Sequence, residues 1–108
     1  MAKKLAIGFI MTVMSLTPVF AANIHPEQKA IFRAVNCDPN RCQPKIHKVI
    51  KGYACVIGIC KLKNCENEVY YLKKTSKGWV LVETGTGIDP DDLEKDGFPP
   101  KIAEELTR

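Results

Sequence analysis

Five cysteines, Cys37, Cys42, Cys55, Cys60 and Cys65, carry most of the chemistry available to this chain. A thiolate can attack, bind a soft metal or close a disulfide, and the redox compartment decides among these. Two pairs share one spacing, Cys37-x4-Cys42 and Cys60-x4-Cys65. Each brackets turn-forming residues, with Asp38-Pro39-Asn40 in the first and Leu62-Lys63-Asn64 leading into the second. Five is odd, so two bridges and one free thiol are the simplest count, and four cysteines already allow three connectivities. The matched spacing favours Cys37–Cys42 and Cys60–Cys65, leaving Cys55 free and buried.

Other reactive groups are sparse. His25 and His47 are the only histidines, and a Cys–His nucleophile pair would need a thiol beside His47. Neither Gly-x-Ser-x-Gly nor His-Glu-x-x-His occurs, and no Cys-x-x-Cys suggests a thioredoxin-type site. Gly85-Thr86-Gly87 lacks the Lys and hydroxyl of a phosphate loop and reads as a turn. Asp89, Asp91, Asp92, Glu94 and Asp96 resemble a calcium loop in composition, but the sixth-position glycine is missing. They read instead as the acidic start of a helix, where the dipole favours negative charge. Thiolates with His47 would suit copper, yet Met1, Met11 and Met14 all lie in the first fourteen residues, so the rest of the chain has no thioether ligand. The expectation is a protein that is not an enzyme and has no cofactor, metal or catalytic residues.

The N-terminus sets the compartment. Lys3 and Lys4 precede an apolar run from Leu5 to Leu16, and Val19-Phe20-Ala21 supplies small residues at a cleavage site. This is the layout of a secretory signal peptide over residues 1–21, with cleavage after Ala21. The run is too short for a membrane span, which needs ~20 apolar residues. The expected product is one small domain, residues 22–108, periplasmic or secreted, with no transmembrane segment. In an oxidising compartment the cysteines read first as a disulfide framework.

Charge is unevenly placed. From Asn23 to Val82 there are 11 Lys/Arg and four acids, whereas from Glu83 to Arg108 there are three and eight. Net charge is +4 for the whole chain and falls to +2 once Lys3 and Lys4 are removed. Nucleic-acid binding gains little support from so small an excess. A basic face could still meet an anionic surface.

The elements that must position these residues follow from pattern. Pro26 to Asn36 reads as a helix, with Ile31, Ala34 and Val35 as its apolar stripe. Cys37 to Pro44 is a loop. Ile46 to Lys61 is one β-rich stretch with Gly52 and Gly58 as bends. Glu68 to Lys74 and Trp79 to Thr84 are two further strands joined by a Ser76-Lys77-Gly78 hairpin. Asp89 caps a short helix with Pro90 at its first position, Gly97 ends it, and Pro99-Pro100 opens a last helix through Leu106. The result is an α+β domain, an N-terminal helix packed on a three-stranded antiparallel meander with short C-terminal helices. All three strands are apolar on both sides, whereas a sheet with one wet face alternates. Either the C-terminal helices cover the second face, leaving a monomer, or a second chain does, giving a homodimer. Self-coverage is the expectation.

Lys51-Gly52-Tyr53-Ala54, Val69-Tyr70-Tyr71-Leu72-Lys73-Lys74, Lys77-Gly78-Trp79-Val80-Leu81-Val82 and Gly85-Thr86-Gly87-Ile88, followed by Leu93, Gly97-Phe98-Pro99, Ala103 and Leu106, form an ordered pattern. Over about residues 48–107 it resembles a group of small exported bacterial proteins, some of them labelled copper-uptake-associated. The resemblance implies a helix against a curved antiparallel sheet, like a reduced cystatin or NTF2 domain. It carries no catalytic signature. The cysteine usual after the third strand of that group is absent, with Glu83 and Thr84 in its place. The functional expectation is a non-catalytic exported accessory protein that binds an unidentified protein or anionic surface. A metal-handling protein of a copper-linked pathway is the alternative, and an inhibitor of an extracytoplasmic or host hydrolase is a second one.

Overall fold

The computed structural model describes residues 25–108, so the signal-peptide reading of residues 1–21 lies outside the described residues. Helix α1 (Gln28–Val35) precedes strands β1 (Cys42–Ile50), β2 (Tyr53–Cys60), β3 (Glu68–Thr75) and β4 (Gly78–Gly85). Two short helices follow, α2 (Pro90–Lys95) and α3 (Pro100–Leu106). The strands form one antiparallel sheet in the order β1-β2-β3-β4.

The class is α+β, but among the described residues the sheet has four strands where the pattern predicts three. The stretch from Ile46 to Lys61 folds back on itself at Lys51-Gly52, and Ile50 faces Tyr53. Both turn residues have positive φ, 45° and 83°, as a two-residue type I′ hairpin turn requires. Lysine is a poor signal for that turn, and the flanking strands are apolar on either side of it. The β1 strand also starts at Cys42, inside the segment expected to be loop. Pro44 is tolerated there because, among the described residues, β1 is an edge strand with no outer partner. His47 is an extra residue between Ile46 and Lys48, a bulge that bends this edge. Helix α1 is shorter than predicted at both ends. Pro26 lies in the turn before it, and Asn36 closes it in the left-handed conformation, φ 52°, with its N–H on Phe32 O.

Residues alternate between two buried faces. Ala54, Val56, Tyr70 and Leu72 pack under Ile31 and Val35 of α1. Cys55 and Tyr71 pack under Leu93, Phe98, Ala103 and Leu106 of the C-terminal segment. The central strands β2 and β3 are thus covered by the chain itself on both sides, which accounts for their lack of polar alternation, whereas Val80 and Leu81 of β4 stay exposed. Each fully buried Leu or Ile in these layers contributes roughly 1.5–3 kcal/mol.

The C-terminal layer is built by local signals. The Asp89 carboxylate accepts from Asp92 N at 3.1 Å, and the Asp92 carboxylate accepts from Asp89 N at 3.0 Å, a reciprocal capping box. Gly97, φ 94°, ends α2. There Phe98 N donates to Leu93 O and Gly97 N to Glu94 O, both at 3.0 Å. This Schellman arrangement swings Phe98 back onto Leu93. Lys48 then anchors α3 to β1, donating to Glu105 O at 2.7 Å.

Candidate functional site

The site grows from the β1–β2 register. Cys42 begins β1, Cys60 ends β2, and the two stand directly opposite each other. Cys37 lies at disulfide distance from Cys42, with Cα atoms 5.8 Å apart, and Cys60 pairs in the same way with Cys65 at 5.9 Å. These are the pairs that the equal spacing favours, and Cys55 is the free, buried cysteine. Because Cys42 and Cys60 are neighbours, both disulfides come to one end of the sheet. Together they frame a cleft of about 490 Å³.

Gly58 forms part of the cleft floor. A Cβ there would stand 2.7 Å from both Cys42 Sγ and a ring carbon of Tyr70, so only glycine lets these two settle over the strand. Tyr70 donates its hydroxyl to Glu68 Oε1 at 3.1 Å. Burial, and this hydrogen bond to a carboxylate, push the Tyr70 phenol above its ordinary range, so it acts as a fixed donor. Asp38, Glu66 and Arg41 complete the polar wall. Asp38 Oδ1 accepts from Asn40 N at 3.0 Å, and Arg41 and Cys42 donate their N–H groups to Asp38 O. The first loop is therefore tightly wound. Lys61 Nζ donates to Pro39 O at 2.7 Å, joining it to the second. Charges of both signs on two stapled loops suit recognition of a polar, mixed-charge segment.

Sequence reasoning places the four cysteines but misses Tyr70, Glu68, Glu66, Asp38 and Arg41 as their neighbours. The one available signal is Gly58, a glycine inside an apolar strand, which marks a close approach.

The remaining reactive residues lie elsewhere. Cys55 sits under α3, opposite Tyr71 on β3. Burial pushes its thiol up to about 11 and the Tyr71 phenol up to about 12, so both stay protonated. His25 Nδ1 accepts from Glu27 N at 3.0 Å, and the His47 ring lies 3.3 Å from Arg108 O. Among the described residues no group of three or more His, Cys, Asp or Glu is arranged to hold a metal ion. In the acidic segment Asp89 and Asp92 serve as the α2 cap. Asp96 shares a hydrogen bond with Glu83 of β4, which raises the Glu83 carboxyl above its usual range. Of the basic residues, Lys48, Lys61 and Lys74 are engaged within the fold, which thins the basic face expected from charge alone.

No helix among the described residues is long and apolar enough to cross a membrane. No family model matches the chain, and no curated protein or solved structure matches it significantly.

Proposed function

We propose that this chain is a non-catalytic exported accessory protein that binds a protein partner through the disulfide-framed cleft. The observation behind this reading is that both bridges converge on one concavity of about 490 Å³ instead of stapling distant parts of the fold. Loops fixed before binding lose little entropy on binding, so such a cleft gains affinity from its rigidity. Asp38, Glu66 and Arg41 then supply orientation through charge.

Site-specific photo-crosslinking in cells expressing the full chain tests this. A photoreactive residue at Glu66 should give a discrete adduct with one protein, and the same residue at Lys101, on α3 away from the cleft, should give none. Equal labelling from the two positions, or none from Glu66, would remove the cleft as a binding site.

A second reading is metal handling in a copper-linked pathway, which would require the four cysteines of the cleft to be reduced and to rearrange, since as paired they form no metal-holding group. They are ligands for a soft ion only as thiolates. Copper(I) titration of fully reduced protein against a competing chelator should then show tight uptake that the oxidised protein lacks. Equal uptake by both forms would discard this reading.

A further inference from the structure

The two disulfides are close enough to react with each other. Lys61 N donates to Arg41 O at 2.9 Å, one position outside the Cys42–Cys60 pair. That pattern makes Cys42 and Cys60 a non-hydrogen-bonded pair, whose Cα atoms lie about 4.5 Å apart with side chains on the same face. A disulfide spans Cα separations of about 4.4–6.8 Å. A Cys42–Cys60 bond therefore fits the existing strands.

We propose that Cys37, Cys42, Cys60 and Cys65 form one thiol–disulfide exchange site, opened by an external thiol and rearranging to a cross-strand Cys42–Cys60 bond. Cys65 is solvent-exposed and Cys60 is half-buried, which directs attack to Cys65. Cys60 Sγ lies 3.3 Å from Leu62 N and 3.1 Å from Leu62 O, so the freed sulfur keeps a backbone donor and a backbone acceptor within reach as thiolate or thiol.

The incoming thiolate forms a mixed disulfide with Cys65 and breaks the Cys60–Cys65 bond, leaving Cys60 as thiolate. Cys60 then attacks Cys42 Sγ, forming Cys42–Cys60 and breaking Cys37–Cys42, and the released Cys37 thiolate takes a proton. A second external thiol attacks the mixed disulfide, leaves as the oxidised dimer of the reagent and frees Cys65. Two external thiols are oxidised and one protein disulfide is reduced, so electrons balance. Both loops lose their staples while β1 and β2 gain a covalent link. The cleft walls are thereby loosened without unzipping the sheet. This exchange does not depend on what the cleft binds.

Two measurements on the full chain, recovered in oxidised form, test it. The first treats wild-type protein with limiting glutathione, quenches with acid, alkylates and maps peptides. The once-reduced species should be predominantly Cys42–Cys60 linked, with Cys37 and Cys65 alkylated. The second uses the Cys37→Ser/Cys65→Ser variant, which should carry a Cys42–Cys60 bond and a single free thiol, Cys55, after denaturation without reductant. Loss of either original bridge with the other intact, and no Cys42–Cys60 peptide from wild type, overturns the proposal. Three free thiols in a folded variant do the same. If the variant does not fold, the wild-type map decides alone.

Discussion

Trp79 of β4 donates its indole N–H to Glu27 Oε2 at 3.0 Å across the start of α1. Lys74 of β3 makes an ion pair with the same oxygen. One carboxylate, placed just before the first helix turn, thus pins α1 to two strands more than forty residues away in sequence. Its acceptor role also fixes the protonation state on which the contact depends.

The Glu27 carboxyl is held below its usual range, first by the Lys74 hydrogen bond and then by that from Trp79. A depressed folded-state pKa contributes stability above the unfolded value, about 4.3 for Glu, which is lost as pH falls through the folded value. Glu27→Gln should therefore lower the urea midpoint at neutral pH and converge on wild type in acid. Urea unfolding from neutral to acidic pH measures this. A gap that persists unchanged into acid would mean the carboxylate charge is not what holds α1.

Glu83 has the opposite sign. Its pKa is raised, chiefly by the hydrogen bond shared with Asp96, with Asp92 adding repulsion. A raised folded-state pKa contributes stability below the unfolded value and loses it as pH rises through the folded one. Glu83→Gln should thus stabilise the protein at neutral pH, and the gain should shrink in acid. Thermal midpoints of wild type and variant across that range check it. A variant less stable than wild type at neutral pH would show that the ionised pair is useful.

The legible parts of this fold are those fixed by local rules. Asp89 with Pro90, and Gly97, announce the C-terminal helices, and the matched cysteine spacing gives the local bridges because each loop is short. Apolar residues on both sides of the strands foretell two covered faces, as found for β2 and β3 under α1 and α3, while on β4 Val80 and Leu81 remain exposed. The fourth strand is hidden because Lys51 occupies a turn position where asparagine or glycine would be the signal. The cleft is hidden for a different reason. It arises from the Cys42–Cys60 register, a non-local pairing that no window of sequence contains. A reading that misses the β1–β2 hairpin cannot bring the two disulfides together.

Self-coverage of the second face makes a direct prediction. Phe98 is 2% exposed, Ala103 0% and Leu106 1%, all over Cys55 and Tyr71. Leu106→Ala should cost about 2–5 kcal/mol in urea unfolding. A chain ending at Gly97 loses all three and uncovers the apolar sheet, forfeiting ~25 cal/mol per Å². It should self-associate in sedimentation velocity where the full-length protein does not. If the truncated chain remains as stable and as dispersed as the full one, the C-terminal helices are not what protects this face.

Gly58 provides the sharpest test of the cleft's construction. A methyl group at this position would meet Cys42 Sγ and the Tyr70 ring at 2.7 Å. Neither neighbour is the loose end of a flexible side chain, since Cys42 is tied to Cys37 and Tyr70 is buried and bonded to Glu68. Gly58→Ala should therefore cost about 1–3 kcal/mol, the range for overpacking a filled site. Part of that cost should vanish on reduction, because a freed Cys42 sulfur can rotate away while Tyr70 cannot. Urea unfolding of wild type and variant, each oxidised and reduced, separates the two contacts as a thermodynamic cycle. An equal penalty in both redox states would place the whole clash on Tyr70. A neutral substitution in the oxidised protein would mean that Cys42, Gly58 and Tyr70 are not packed as described, and the cleft floor with them.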